Sequence, residues 1–172
     1  ATGSAIKLAA ASGSDLSLST SIMSDAMSQF SLASGEASNL ADIFTYALNK
    51  SKLGMNDLSV SMRYAGTVGA GFGMSVQETT AALMMFSDLG LKGSKAGTVF
   101  RLAMNSAANT TSVAQKILKQ YGLTQEAINP ATHNFGEILR VVAENNITAS
   151  DAMKIFGMEA GANIVKLASI QK

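Results

Sequence analysis

Apolar residues recur every three to four positions along nearly the whole chain, and no run alternates with period two for long enough to indicate a strand. Three stripes with this spacing are the clearest. They are Leu40, Ile43, Phe44, Ala47 and Leu48; Ala96, Val99, Phe100, Ala103 and Met104; and Phe135, Ile138, Leu139 and Val142. The pattern predicts an all-α, compact multi-helix domain of about eight to ten short helices, none much longer than four turns.

The breaks between these stripes share one short pattern, in which a glycine or asparagine is followed by an apolar residue and then by a helix-capping residue. Four segments have it: Gly54-Met55-Asn56, Gly73-Met74-Ser75, Gly122-Leu123-Thr124 and Asn146-Ile147-Thr148. Glycine and asparagine tolerate the left-handed conformation that ends many helices, and Ser, Thr and Asn favour the N-cap of the next helix. We therefore expect helix–corner–helix units, with capping-box spacing at Ser75–Glu78 and Thr148–Asp151.

The length of 172 residues is enough for one domain with its own core, and we expect residues 1–172 to form a single helical domain. The solitary Pro130 lies in the loop-like residues 129–134, the best internal boundary, which we interpret as a loop rather than a domain linker. The chain opens without Met and without a signal-peptide pattern, so we expect an internal segment of a longer protein.

Composition narrows the function classes. The net charge of +1 provides no basic surface for binding nucleic-acid phosphates, and the absence of Cys excludes disulfides and thiolate metal sites. Ten Met and no Trp, with only 15% charged residues against about 25% in typical soluble domains, indicate an adaptable apolar surface. Cysteine usage leaves the redox compartment undetermined.

Membrane contact depends on two features. The longest uncharged windows, residues 64–77 and 102–115, hold about 14 residues each, fewer than the roughly 18–20 apolar residues that a membrane-spanning helix needs. Ala65, Gly69 and Gly73, however, have the small-xxx-small spacing of helices that pack closely, in lipid or in a protein core. We favour close packing in the core, before a helix break at residues 71–73, and keep a membrane face as the alternative.

The sequence LGLKGSKAGTVFR, residues 89–101, has the glycines and lysines of a phosphate-binding loop. Such a loop needs Lys directly before Ser or Thr at a strand-to-helix turn, whereas Gly97 precedes Thr98 and the preceding segment is helical. A corner between packed helices explains the residues better. We expect Gly90 to end one helix, Leu91 to contact it, Ser94 to cap the next helix, and Gly97 to allow a close helix approach.

No residue pattern supports catalysis or cofactor binding. His133 is the only histidine, which excludes two-histidine metal sites, and we expect it to be solvated in a loop. Glu78 and Glu137 lie at predicted helix starts, where the helix dipole accounts for an acidic residue, and no glutamate precedes Ser as in lytic transglycosylases. Lys92, Lys95 and Arg101 do not share a helix face well, so we expect a solvated rim rather than an anion site. We expect no enzyme, no metal and no cofactor.

The order of these motifs resembles the core region of phage tail tape measure proteins, the minor tail proteins of long-tailed phages and prophages. The resemblance rests on SVQET at residues 75–79 and on the corner LGLKGSKAGTVFR. The corner carries it through Gly90, Leu91, Lys92, Gly93, Ser94, Ala96, Gly97, Thr98 and Arg101. Residues 27–42, 54–56 and 155–160 match in character, so the resemblance covers about residues 19–169. Lys95 and Phe100 depart from the family's usual residues but preserve the corner.

The resemblance implies a structural virion component without catalytic residues. The parent protein is expected in the lumen of the virion tail, and in the bacterial cytoplasm during assembly, where it sets tail length and leaves ahead of the genome. Expected partners are the tail tube, the tail tip or baseplate, and tail assembly chaperones, with no specific nucleic acid. Contact with the host inner membrane and homo-oligomerisation stay open. The alternatives are a membrane-active helical domain assisting genome passage and, less favoured, a peptidoglycan-cleaving enzyme.

Overall fold

A computed structural model describes residues 2–170, which contain ten α-helices, two short 3₁₀ helices and no strand. The α-helices are α1 (Thr2–Ser12), α2 (Leu16–Gln29), α3 (Ala37–Lys50), α4 (Met55–Gly71), α5 (Val76–Asp88), α6 (Gly93–Ala108), α7 (Ser112–Gln120), α8 (Phe135–Glu144), α9 (Ala149–Phe156) and α10 (Met158–Ile170). The 3₁₀ helices are Ser34–Glu36 and Gln125–Ile128. The predicted all-α class and helix number are confirmed.

Side-chain caps fix where several helices begin. At α5, Ser75 Oγ accepts a hydrogen bond from the Glu78 N–H (3.1 Å) and Glu78 accepts one from the Ser75 N–H (2.7 Å). This capping box confirms the sequence prediction and satisfies two N–H groups that an uncapped helix leaves without partners. At α9, Thr148 Oγ1 accepts from the Asp151 N–H (3.2 Å), but the Thr148 N–H donates to the Tyr121 hydroxyl (3.3 Å), so only one of the two bonds of the predicted box forms. Asn134 and Glu137 form a further box at α8.

Left-handed residues end the helices at three of the four predicted corners. Gly73, Gly122 and Asn146 have φ values of +80°, +72° and +50°. In each case the next residue, which is apolar, donates its N–H to a carbonyl five residues back, as in a Schellman motif. Gly54 is different. It lies in extended conformation (φ −90°) as the N-cap of α4, so the corner predicted there is wrong. Ser31, with φ +52°, ends α2 in the same way without a glycine.

The first of two compact units in the chain is Ala1–Thr98. Within it α1 packs on α2 and α3, α4 packs on α2 and α5, and α3 packs on α5. The apolar stripe of α3 is buried at Leu40, Phe44 and Ala47, whereas Ile43 is only partly buried. The largest fully buried side chains of this unit are Leu8, Ile22, Leu40, Phe44, Leu58, Met62, Leu83 and Phe86.

The second unit is Val99–Lys172, and its first residue lies within α6. Here α10 packs on α8 and α9, and α7 packs on α9. The Phe100 and Phe135 rings meet edge to face with centroids 5.9 Å apart, a favourable arrangement for buried aromatic rings. Residues 129–134, the best boundary in the sequence, lie inside this unit.

Candidate functional site

The corner that carries the family resemblance begins where α5 ends. Gly90 has φ +86°, its N–H donates to the Ser87 carbonyl (2.8 Å), and the Leu91 N–H donates to the Phe86 carbonyl (2.9 Å). These two bonds make a Schellman motif with Gly90 as the left-handed residue. The Gly90 and Leu91 N–H groups are therefore used to end α5, and the element that precedes the corner is a helix rather than the strand that a phosphate-binding loop follows.

Helix α6 begins earlier than expected. Its first residue is Gly93, so Ser94 lies exposed in the first turn and the predicted cap at Ser94 is wrong. Gly93 itself has φ +55°, and a Cβ there would lie 3.4 Å from Asp57 Oδ1. The left-handed glycine lets the chain turn into α6 without the cap that the sequence suggested.

Gly97 lies where α6 approaches the backbone of α4. A Cβ at this position would be 2.5 Å from the Ser61 carbonyl oxygen and 2.8 Å from Tyr64 Cβ, distances that real Cβ atoms essentially never show. The neighbouring Ala96 is fully buried, and Thr98 is partly buried. The glycine therefore allows the close approach of two helices that the sequence predicted.

The three cations of this motif are in contact with solvent. Lys92, Lys95 and Arg101 are all exposed. Each belongs to the solvent-facing side of its segment, in keeping with the solvated rim expected from their spacing.

The small residues of α4 face neighbouring helices. Ala65 is fully buried, Gly69 is buried, and a Cβ at Gly69 would collide with the Thr79 side chain of α5. Gly66, beside them, leaves room for the Gln29 side chain of α2. Gly73 lies beyond the end of α4 and is exposed, so it does not share the face with Ala65 and Gly69, contrary to the predicted i, i+4, i+8 stripe.

Three glutamates make hydrogen bonds that hold local structure. Glu126 accepts hydrogen bonds from Thr132 (2.8 Å) and Asn129 (3.2 Å), which lower the pKa of its carboxyl, and the nearby His133 adds to the effect. A general acid needs the opposite shift. Glu78 and Glu137, the glutamates expected at helix starts, accept hydrogen bonds from backbone N–H groups in the capping boxes.

A second polar cluster joins α7 to α9. The Tyr121 hydroxyl donates to Asp151 Oδ2 (2.8 Å) and accepts from the Thr148 N–H (3.3 Å). The hydrogen bond from Tyr121, then that from Thr148 Oγ1, and then the charge of Lys154 lower the pKa of the Asp151 carboxyl.

The described residues contain no group of three or more His, Asp or Glu side chains that could hold a metal ion. In the same part of the chain, no helix combines the length and apolar character needed to cross a bilayer.

An open groove between α3 and α5 was not anticipated from the sequence. Its cavity of about 320 Å³ has Ile43, Tyr46, Ala81 and Met84 as its apolar lining. Tyr46 is 60% exposed beside this lining. In the sequence, Tyr46 follows Ile43 by three positions, which places both on one face of α3. That face can be recognised as the wall of a groove only once the pairing of α3 with α5 is known. We call this feature the α3–α5 groove.

The comparison with known protein families decides the identity of the chain. Residues 1–160 match the family described as phage-related minor tail protein. The chain belongs to that family. Membership confirms the resemblance found in the corner and gives the chain a structural role in a phage tail.

Two relatives are named tape measure proteins. The tape measure protein of Pneumococcus phage Dp-1 is 32% identical over 119 residues, which cover 69% of this chain and 10% of the relative. The probable tape measure protein of Escherichia phage P2 is 29% identical over 143 residues, covering 78% of this chain and 18% of the relative. The chain thus spans a tenth to a fifth of these relatives. No solved structure matches.

Proposed function

We propose that the chain is a folded helical module of a tail tape measure protein, a protein that acts in tail length determination, tail assembly and genome delivery. The observation that carries the proposal is the folding of the chain into short helices separated by hydrogen-bonded corners, in a family whose relatives are tape measure proteins. The longest helix, α4, has 17 residues and so reaches only about 26 Å.

Length is the property that separates a folded module from a ruler. As one continuous helix, 172 residues would reach about 260 Å. Each left-handed corner residue interrupts that helix, and its hydrogen bonds would have to break before the helix could continue. The module therefore adds little to tail length in its folded state, and other parts of the tape measure protein do most of the measuring.

Membership in a tail protein family supports the partners and the location that we propose. Partners are the tail tube, the tail tip or baseplate, and assembly chaperones; the location is the tail lumen, with assembly in the bacterial cytoplasm. We infer a structural rather than a catalytic role, which the use of Glu78 and Glu137 in helix caps supports. The membrane alternative is not favoured by the fold, since Ala65 and Gly69 face the protein core.

An in-frame deletion of residues 1–172 from the phage that encodes the chain tests the proposal. Negative-stain microscopy measures tail length, and plaque counts measure infectivity. We expect tails of nearly unchanged length with infectivity lost. Tails shortened by about 260 Å would make the segment part of the ruler. Tails of normal length and full infectivity would remove the proposed role.

A further inference from the structure

The α3–α5 groove extends further along α3 than its main cavity. A second cavity of about 190 Å³ shares Asn39, Ile43 and Gln77 with the first and continues to Glu36. From Glu36 to Tyr46 the groove follows about ten residues of chain, or about 15 Å of helix. This length matches about three turns of a bound helix.

The chemistry of the walls determines the form of ligand that fits. In the main cavity both walls are helices, which use their backbone N–H and C=O groups internally, so an added strand would find no backbone partners there. Apolar and polar side chains together line the main cavity, with Ile43 and Met84 partly buried and Tyr46 exposed. A helix that inserts apolar side chains every three to four residues is the ligand such a channel receives.

Charge specifies the ligand further. The residues that line the two cavities include the carboxylates of Asp42 and Glu36 and no Lys or Arg. The nearest cations in sequence, Lys50 and Lys52, lie beyond Tyr46 and do not line either cavity, and Lys52 Nζ donates to the Asp88 carbonyl (3.4 Å). The exposed carboxylates of Asp42 and Glu36, next to the apolar lining residues, complement a ligand that is apolar on one side and basic at its flanks.

We propose that the α3–α5 groove is a docking site for an amphipathic, basic-flanked α-helix of a partner protein. The partner helix places apolar side chains against Ile43, Tyr46 and Met84, and Lys or Arg side chains beside Asp42 and Glu36. The proposal adds a specific surface to the module and holds whether or not the module serves in genome delivery. Met84 suits it, because methionine adapts to varied apolar partners.

Fluorescence anisotropy with a synthetic helix tests the proposal on the whole chain. The probe is a fluorescein-labelled peptide of about 14 residues, about 21 Å as a helix, with Leu every three to four positions and Lys on both flanks. Two control peptides replace every Lys with Glu or move the Leu residues out of helical register. We expect only the first peptide to bind, and its affinity to fall as salt is raised.

Matched substitutions locate the binding. Asp42→Lys and Tyr46→Ser should each weaken binding by about three- to tenfold, the range for losing a rim charge or an exposed aromatic anchor. Asp25→Lys makes the same charge change at an exposed site outside the groove, and Tyr64→Ser removes a tyrosine that is 43% exposed there. These two controls should leave the affinity unchanged.

Three results would overturn the proposal. The basic peptide fails to bind, the Glu peptide binds as well, or all four variants lower the affinity equally. A fourth comes from sedimentation of the chain alone. If the chain forms a dimer that Tyr46→Ser dissociates and Tyr64→Ser does not, the groove binds a second copy of the chain instead of a partner helix.

Discussion

Replacing Gly97 with alanine tests the close helix packing at the family corner. In an open helical position this change stabilises a protein, because alanine has a helix propensity about 1 kcal/mol better than glycine. At Gly97 the new methyl would lie 2.5 Å from the Ser61 carbonyl oxygen, whereas ordinary contact begins at 3.4 Å. Helices α4 and α6 would therefore have to separate locally by about 0.9 Å.

The expected magnitude is the difference between these two effects. Overpacking a dense core costs about 1–3 kcal/mol, and the obstacle here is backbone, which cannot rotate away. For a backbone obstacle we take the upper part of that range, about 2–3 kcal/mol. After subtraction of the gain in propensity of about 1 kcal/mol, Gly97→Ala should lower the free energy of unfolding by about 1–2 kcal/mol. For a chain of this size, that corresponds to a melting temperature about 2–8 °C lower. Urea unfolding followed by circular dichroism measures the change.

Gly71→Ala is the matched control. Gly71 is also helical, in the last turn of α4, and nothing lies within 4 Å of a Cβ placed there. This variant should be as stable as the parent chain or more stable by up to about 1 kcal/mol. If both variants gain stability alike, α4 and α6 do not approach as closely as the structure shows, and the explanation of the corner is refuted.

Four further predictions concern the caps, the corners, the polar cluster and the domain. Ser75→Ala removes the side-chain acceptor of the α5 capping box and should cost about 1 kcal/mol in urea unfolding; no loss would mean that Glu78 alone holds the helix start. Gly90→Ala forces a side chain into φ +86° and should cost about 1–2 kcal/mol, whereas an unchanged urea midpoint would argue against a left-handed helix end. The hydrogen bond from Tyr121 lowers the pKa of Asp151 in the folded state, so this carboxylate stabilises the fold above its unfolded pKa of about 4 and the stabilisation is lost as pH falls through the lower folded pKa. Tyr121→Phe should therefore flatten the fall of the urea midpoint between about pH 5 and about pH 2, and an identical slope would contradict the assignment. We also propose that residues 1–172 unfold as a single domain, because α6 continues through the boundary between the two compact units; calorimetry should show one transition rather than two.

The parts of the fold that sequence predicted well are those that consecutive residues encode. The left-handed residue, the apolar contact and the N-cap of a corner are neighbours in the chain, so Gly73, Gly122 and Asn146 could be recognised without knowing any packing. The same local pattern is ambiguous at Gly54, because glycine is also accepted at an N-cap in extended conformation. Ser31 was missed because serine seldom takes a positive φ.

Features that depend on which helices pair could be predicted only in part. The sequence indicated that Gly97 permits a close approach, but not that the partner would be the α4 backbone at Ser61. The α3–α5 groove escaped prediction because its walls are separated in sequence by the whole of α4. The sequence pattern predicts that Ile43 belongs to a core stripe. In the structure, where α3 packs on α5, Ile43 is only partly buried and lies beside Tyr46.

The most direct test of the folded-module account is a distance between residues 52 and 88 in assembled tails. The Lys52 N–H donates to Asp88 Oδ1 (3.2 Å), and both residues are exposed. In a continuous helix the 36 positions between them would span about 54 Å. The chain has no cysteine, so in the isolated chain spin labels on Lys52→Cys and Asp88→Cys report this pair alone. Pulsed electron resonance should give a distance well under half of that length, in the isolated chain and in tails. A distance near 54 Å in tails would contradict the account and show an extended segment of the ruler.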